Sequence, residues 1–382
     1  MNAPTSNPNQ TEIQIVPVKT PAQRKIFVNF PWTIYKNDPN WVPPMKSEIY
    51  TFLEPKKHPF YEFGTAQAFL AFRNGEPVGR ILASDDPITN NRKGTNLGTW
   101  GMFECFEDTQ AAKALLDAAY DWCRENHGRE KILGPMTFST NYDIGMQIKG
   151  FDTPPKIGMC HNPQYYAQLV KDAGAVKCQG LYAWWFGRSN EMLQKWQKRI
   201  DWFKKRSAIT YRSFDPTNFE KEIRICREVY NTSMRDNWQY AELSIGEMEV
   251  MAHQMVQHAD PKHIFLAFDG EKPVGFSITL PDLNEALIHL NGTLLPFGFL
   301  KFLYYRRKIT SCRMMVMCVD PQYRRRGIVE ILVYNTLKHG LESGYQGAEL
   351  GWTYCDNHAV NVVIERCGGI PYKEYELYEY AK

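Results

Sequence analysis

The sequence predicts an α/β protein made of two consecutive units of one design, each a mixed and mostly antiparallel sheet flanked by helices. Strand-like alternation and helix-like spacing of apolar residues follow one another along the whole chain. The same series of landmarks recurs in the same order about 195 residues later, which marks a tandem duplication. The length of 382 residues, with 43% hydrophobic side chains, is also more than one small core needs and suits two.

In the first unit, residues 12–188, Ile13, Ile15 and Val18 alternate as a strand, and Pro21 opens a helix carrying Ile26, Phe27 and Phe30. An aromatic, Pro-rich loop from Tyr35 to Pro44 contains Asn40-Trp41. Ala66 to Phe72 and Pro77 to Ser84 then flank Asn74-Gly75, a hairpin turn signal. Thr99 to Glu107 reads as a strand, Ala111 to Asn126 as a helix and Lys131 to Pro135 as a strand. A long irregular segment, Thr137 to Gly158, precedes Asn162, a helix ending near Gly174 and a strand from Val176 to Phe186. Residues 1–11 are polar, rich in Pro and Asn and without a basic-then-apolar leader, and read as disordered.

A basic linker helix, Met192 to Lys205 within residues 189–206, leads to the second unit, residues 207–382. Strand Tyr211 to Phe214 precedes helix Phe219 to Tyr230, and Asn237-Trp238 repeats Asn40-Trp41. The hairpin Phe268-Asp-Gly-Glu-Lys-Pro-Val-Gly275 repeats Phe72-Arg-Asn-Gly-Glu-Pro-Val-Gly79, and Asn357 answers Asn162. Strand Met314 to Val319, a helix from Ile328 to Leu341 and strand Ala348 to Tyr354 complete the unit. If Cys318 corresponds to Cys105, about 17 residues are inserted after the second hairpin.

A net charge of +3 gives no reason to expect a nucleic-acid partner. Nine scattered cysteines without a Cys-x-x-Cys pair argue for a reducing compartment and against zinc or a disulfide framework, so no metal is expected. No run reaches the length of a membrane span, and the cytoplasm is the expected location.

The chemistry concentrates after Met314. An apolar strand breaks at Asp320-Pro321, and a basic turn, Gln322 to Gly327, leads straight into a helix. Strand, turn and helix form a phosphate-binding arrangement, because the first N–H groups of a helix are unpaired and carry its positive dipole end. The turn resembles the acyl-CoA signature of the GCN5-related N-acetyltransferases (GNAT), (Gln/Arg)-x-x-Gly-x-(Gly/Ala), with Arg324 first and Gly327 fourth; Val329 departs from the last position. The resemblance implies two GNAT domains. It also implies that acyl-CoA is a co-substrate held by Cys318, Val319, Arg324, Arg325, Arg326, Gly327, Ile328 and Val329, and that pantetheine lies between two splayed strands near Asn357. Asn357 could equally cap its helix. The matching turn of the first unit, Glu107-Asp-Thr-Gln-Ala111, is acidic and lacks glycine, so that copy is read as having lost the coenzyme.

Amine acylation needs a base to free the amine and an acid for the thiolate. Glu349, inside the strand, is the first candidate base, with Asp356 and His358 behind it. The tyrosine that often serves as acid in the family falls at Ile364, which leaves Tyr354, His358 or Cys367, or departure of the thiolate unassisted.

The insert, Gly292 to Lys308, combines many large apolar residues with Arg306-Arg307-Lys308, an interfacial pattern too short to span a membrane. A helix buried on the sheet or a dimer patch would read the same way. Together with the family resemblance, the membrane reading implies a similarity to the bacterial ceramide synthases of this fold, which join a fatty acyl-CoA to a sphingoid base. The expectation is therefore an acyl-CoA-dependent N-acyltransferase acting on an amine, either a long-chain lipid amine or, with acetyl-CoA, a soluble amine. A non-catalytic acyl-CoA sensor and peptidyl transfer from aminoacyl-tRNA are the rivals.

Overall fold

A computed structural model describes residues 12–256 and 259–382; the expectation of disorder over residues 1–11 lies outside them. The strands are β1 (Gln14–Pro17), β2 (Thr65–Arg73), β3 (Glu76–Asp85), β4 (Leu97–Cys105), β5 (Lys131–Gly134), β6 (Met146–Lys149) and β7 (Val176–Gly187). The second half adds β8 (Ile209–Ser213), β9 (Ile264–Asp269), β10 (Lys272–Pro281), β11 (Ser311–Val319), β12 (Gly347–Tyr354) and β13 (Ile370–Tyr380). The duplicated plan is visible element by element. The hairpin β2–β3 answers β9–β10, and the parallel pair β4–β5 answers β11–β12. Helix Thr109–His127 answers helix Ile328–Glu342.

The two halves do not form two separate sheets. All thirteen strands join one mixed sheet in the order β1-β2-β3-β4-β5-β13-β7-β12-β11-β10-β9-β8, with β6 alongside β13. The last strand of each half is thus exchanged. β7 of the first half pairs with β12 (Leu350 opposite Trp184), and the C-terminal β13 reaches across to β5 (Glu379 opposite Leu133). The boundary near residue 188 is a boundary in the sequence but not in the sheet.

Helices cover both faces. In the first half Ala112, Leu115, Leu116 and Ala119 of helix Thr109–His127 recur at helical spacing and pack on Ile81, Trp100 and Cys105. In the second half the strands alternate, so Phe276 and Cys318 meet helix Phe219–Met234, whereas Val274 and Val319 meet helix Ile328–Glu342. The basic linker forms helix Asn190–Arg206, which lies on helix Ile328–Glu342 through Ile200, Ile331 and Tyr334. Among the described residues no helix is long and apolar enough to cross a membrane.

Candidate active site

Strands β11 and β12 run parallel for four residue pairs, Ser311–Gly347 to Met314–Leu350, and then part. The gap opens into a cavity of about 1890 Å³ at the junction of the halves, larger than a drug-sized ligand requires. Met314 to Val319 line one side of its second-half end and Leu350 to Tyr354 the other.

The basic turn closes this end. Asp320 accepts from the Gln322 N–H at 2.9 Å and starts a short 3-10 turn, Pro321–Tyr323. Arg325 (φ 66°) and Gly327 (φ 81°) are left-handed, and this double reversal aims the start of helix Ile328–Glu342 at the cavity. No side chain caps that helix, so its first N–H groups suit an anion. Arg324, Arg325 and Val329 line the cavity beside it. Arg324 is steadied by a 3.0 Å bond from Nη2 to the Ser233 carbonyl.

The equivalent turn of the first half is closed by its own carboxylate. Asp108 accepts from the N–H groups of Gln110 and Ala111, each at 3.1 Å, and pairs with Arg73 at 2.8 Å.

The structure sorts the candidate residues. Cys318, Val319, Arg324, Arg325, Val329, Tyr354 and Asn357 are brought together on the cavity wall. Burial pushes the Cys318 thiol up to about 12, so it acts as an apolar wall residue. Asn357 caps helix His358–Arg366 through the Val360 N–H while facing the cavity. Tyr354 donates to the Trp238 carbonyl at 2.9 Å, so its proton is engaged. Ile364 and Cys367 also line this wall.

The other candidates stand elsewhere. Ile328 is anchored in the core, and Arg326 stacks on the Tyr323 ring at 4.7 Å. Gly327 lies under Phe203 of the linker helix, whose ring carbon would be 2.3 Å from any Cβ added there. This glycine therefore serves the packing of the linker as well as the turn.

Glu349 is fully buried, pairs with Arg313 at 3.0 Å, accepts from Tyr372 and does not line the cavity. Burial raises its pKa against the lowering influence of Arg313. That environment suits a structural ion pair between neighbouring strands rather than a base meeting substrate. Asp356 and His358 are exposed and off the cavity; Asp356 lies beside Gln179 in a separate surface depression.

Three groups on the wall have no motif in the sequence. Arg313 reaches the carbonyls of Ile157 (2.6 Å) and Gly351 (2.8 Å), tying the irregular first-half segment to β11 and β12. Asp143, from that segment, and Glu48, from helix Lys46–Phe52, face the same space. The only sequence signal was the length of the segment, since long loops in compact domains tend to be functional. Further into the first half, Glu104 accepts from Tyr35 (2.9 Å) and Tyr166 (2.7 Å) beside Arg80 at 3.6 Å.

Comparison with known proteins bears on this arrangement. The model of the acetyltransferase (GNAT) family matches residues 223–368, which include both splayed strands and the basic turn. A protein of Caulobacter vibrioides named bacterial ceramide synthase is 32% identical over 97% of this chain and 98% of its own length. The chain belongs to the GNAT acetyltransferase family. A second relative, Protein YghO of Escherichia coli, is 33% identical over 93% of this chain and 92% of its own. The GNAT fold extends over the full length. A tandem GNAT protein from the clavulanic acid biosynthesis pathway superposes with a TM-score of 0.55 at 11% identity, covering 97% of this chain and 98% of its own. A GCN5-related N-acetyltransferase from Sphaerobacter thermophilus gives 0.52 at 12% identity, over 97% and 95%. As a GNAT protein this chain is an N-acyltransferase, and acyl-CoA is the co-substrate of its family.

Proposed function

We propose that the chain transfers a long acyl group from acyl-CoA to the amine of a membrane lipid precursor, a sphingoid-type base, at the cytoplasmic face of a membrane. In this reading residues 207–382 hold the coenzyme. Its pyrophosphate rests at the turn from Arg324 to Val329, and pantetheine passes between β11 and β12 beside Asn357. Residues 12–188 are the copy without coenzyme and wall the acceptor side.

The observation that carries the reading is where the cavity ends. The insert forms a short helix, Gly298–Arg306, with no buried residue. Leu294, Phe299 and Phe302 line the cavity. Leu295, Phe297 and Leu300 are 82%, 68% and 64% exposed, and Arg306, Arg307 and Lys308 are exposed beside them. A helix buried on the sheet, one of the other readings of this segment, does not fit those exposures. An apolar rim continuous with an apolar cavity and flanked by cations suits anionic headgroups outside and a hydrocarbon chain inside. The Caulobacter relative's name agrees with a lipid amine.

The test pairs turnover of palmitoyl-CoA against acetyl-CoA, with a long-chain amine, with sedimentation on anionic vesicles. The reading expects a palmitoyl preference and vesicle binding that falls in Leu295→Ser/Leu300→Ser. Acetyl preference without vesicle binding would refute it and leave an acetyltransferase of soluble amines.

A further inference from the structure

We propose that Glu48 and Asp143, both from the half without the coenzyme turn, receive the ammonium group of the acceptor, and that Glu48 is the base that takes its proton. The inference rests on the N-acyl transfer reading above and assigns its acceptor site.

Five carboxylates stand on the cavity wall, those of Glu48, Glu104, Asp143, Glu247 and Glu330. Glu104 is held by two tyrosines and stands beside Arg80. Glu247 accepts from Tyr142 at 2.8 Å and from the Ser244 N–H at 3.1 Å. Glu330 is in the first turn of the coenzyme helix, at the phosphate end. Glu48 and Asp143 alone among the five have neither a hydrogen-bond nor an ion-pair partner for their carboxylates among the described residues. Both residues are exposed, and the space they are exposed to includes the cavity, whose wall they line. Two unneutralised carboxylates on the wall of a largely apolar cavity leave room for one cation.

Their position fits the entry path. The Lys46 N–H donates to the Gly292 carbonyl at 3.0 Å, which pins the first turn of helix Lys46–Phe52 to the apolar rim. Glu48, in that same turn, faces inward, so a chain whose tail enters at the rim brings its amine past this carboxylate. Asp143 stands further in, where Arg313 of β11 joins the first-half segment to the coenzyme strands. The two acids therefore lie between rim and thioester slot.

Their surroundings keep the base usable near neutrality. Although Glu48 is exposed on the cavity wall, desolvation by the protein around it, and then repulsion from Asp143, pushes its carboxyl up to about 7. Of the cations near its helix, Arg24 binds Glu54 at 2.8 Å and Lys46 binds Asn29 at 2.6 Å, whereas Lys57 also lines the cavity. His58, also on the wall, is pushed down to about 4 by burial and is neutral at pH 7. Asp143 is raised by the same desolvation and lowered by Arg313.

The ammonium gives one proton to Glu48, and the amine nitrogen attacks the thioester carbonyl carbon. The C–S bond breaks with its electron pair going to sulfur. A second proton passes from nitrogen to sulfur, leaving an amide and the free thiol, and Glu48 releases its proton to solvent.

The test uses the full chain, palmitoyl-CoA and a long-chain amine. Glu48→Gln should lower kcat about a hundredfold or more at pH 7. The deficit should narrow toward about pH 10, where an alkyl amine deprotonates unaided. Asp143→Asn should raise the KM for the amine about tenfold with a smaller effect on kcat. Acyl-CoA affinity, read by calorimetry, should stay at the wild-type value in both, which also shows that both fold. Wild-type turnover of Glu48→Gln at pH 7, an equal deficit at every pH, or an unchanged amine KM in Asp143→Asn overturns the assignment. A wild-type protein that binds no acyl-CoA would instead bring down the coenzyme reading, and this inference with it.

Discussion

The helices that begin at Thr109 and at Ile328 hold equivalent places in the duplicated plan and are finished in opposite ways. At the first, the Asp108 carboxylate takes two free N–H groups and is itself paired with Arg73. At the second, Gly327 offers no side chain, and two arginines stand on the cavity wall beside the open end. Both helix starts favour an anion, because both have unpaired donors and a positive dipole end. The first is occupied by an anion the chain supplies, and the second is left open for one from outside. On the proposed reading, one capping residue is enough to retire a copy of the scaffold as a coenzyme site, while its walls shape the acceptor space.

The contrast can be broken from either side. The largest effect is expected from giving the second turn the chemistry of the first. Gly327→Asp would place a carboxylate where the pyrophosphate is proposed to lie, and acyl-CoA affinity should fall about a hundredfold or more. Since any Cβ at this left-handed position meets Phe203, the comparison belongs in a Phe203→Ala background, with the single Phe203→Ala and double Phe203→Ala/Gly327→Asp proteins titrated side by side. Equal affinities would mean that the turn does not hold the phosphates. A smaller loss, about tenfold or 1.4 kcal/mol, is expected for Arg324→Ala. It should shrink as salt is raised, because an exposed phosphate contact is screened; a salt-independent loss would assign Arg324 to packing against Ser233.

The smallest effect is the reverse change. Asp108→Ala removes a helix cap and should cost about 1 kcal/mol of stability, seen as a melting temperature lower by about 2–4 °C. Acyl-CoA affinity should not change. A shift in affinity would connect the first turn to the coenzyme after all.

These elements differ in how far the sequence disclosed them. The open turn was legible because its chemistry is local: a strand, a Pro break, three arginines and a glycine stand within sixteen residues of one another. The duplication was legible because hairpins and Asn-Trp pairs repeat at a fixed offset. The exchange of β7 and β13 was not legible, since strand order depends on pairing between residues about 200 apart in sequence. β13 itself was hidden by composition. Lys373 and Glu376 are buried in it, satisfied by the carbonyls of Gly150 and Thr153 and by Lys177, and they disguise the alternation of Tyr375 and Leu377.

The catalytic candidates fared differently for the same reason. Glu349 has the right residue type next to the right strand, but Arg313 on the parallel neighbour claims it. Glu48 and Asp143 lie some hundred residues apart in segments without a motif, and only the folded junction sets them facing one cavity.

The central claim is that one of two equivalent turns holds acyl-CoA. Native mass spectrometry of the full chain with palmitoyl-CoA tests it most directly. The account predicts one coenzyme per chain, retained in Asp108→Ala and lost in the Phe203→Ala/Gly327→Asp protein but not in Phe203→Ala alone. Two coenzymes per chain, or one that survives Gly327→Asp, would contradict it.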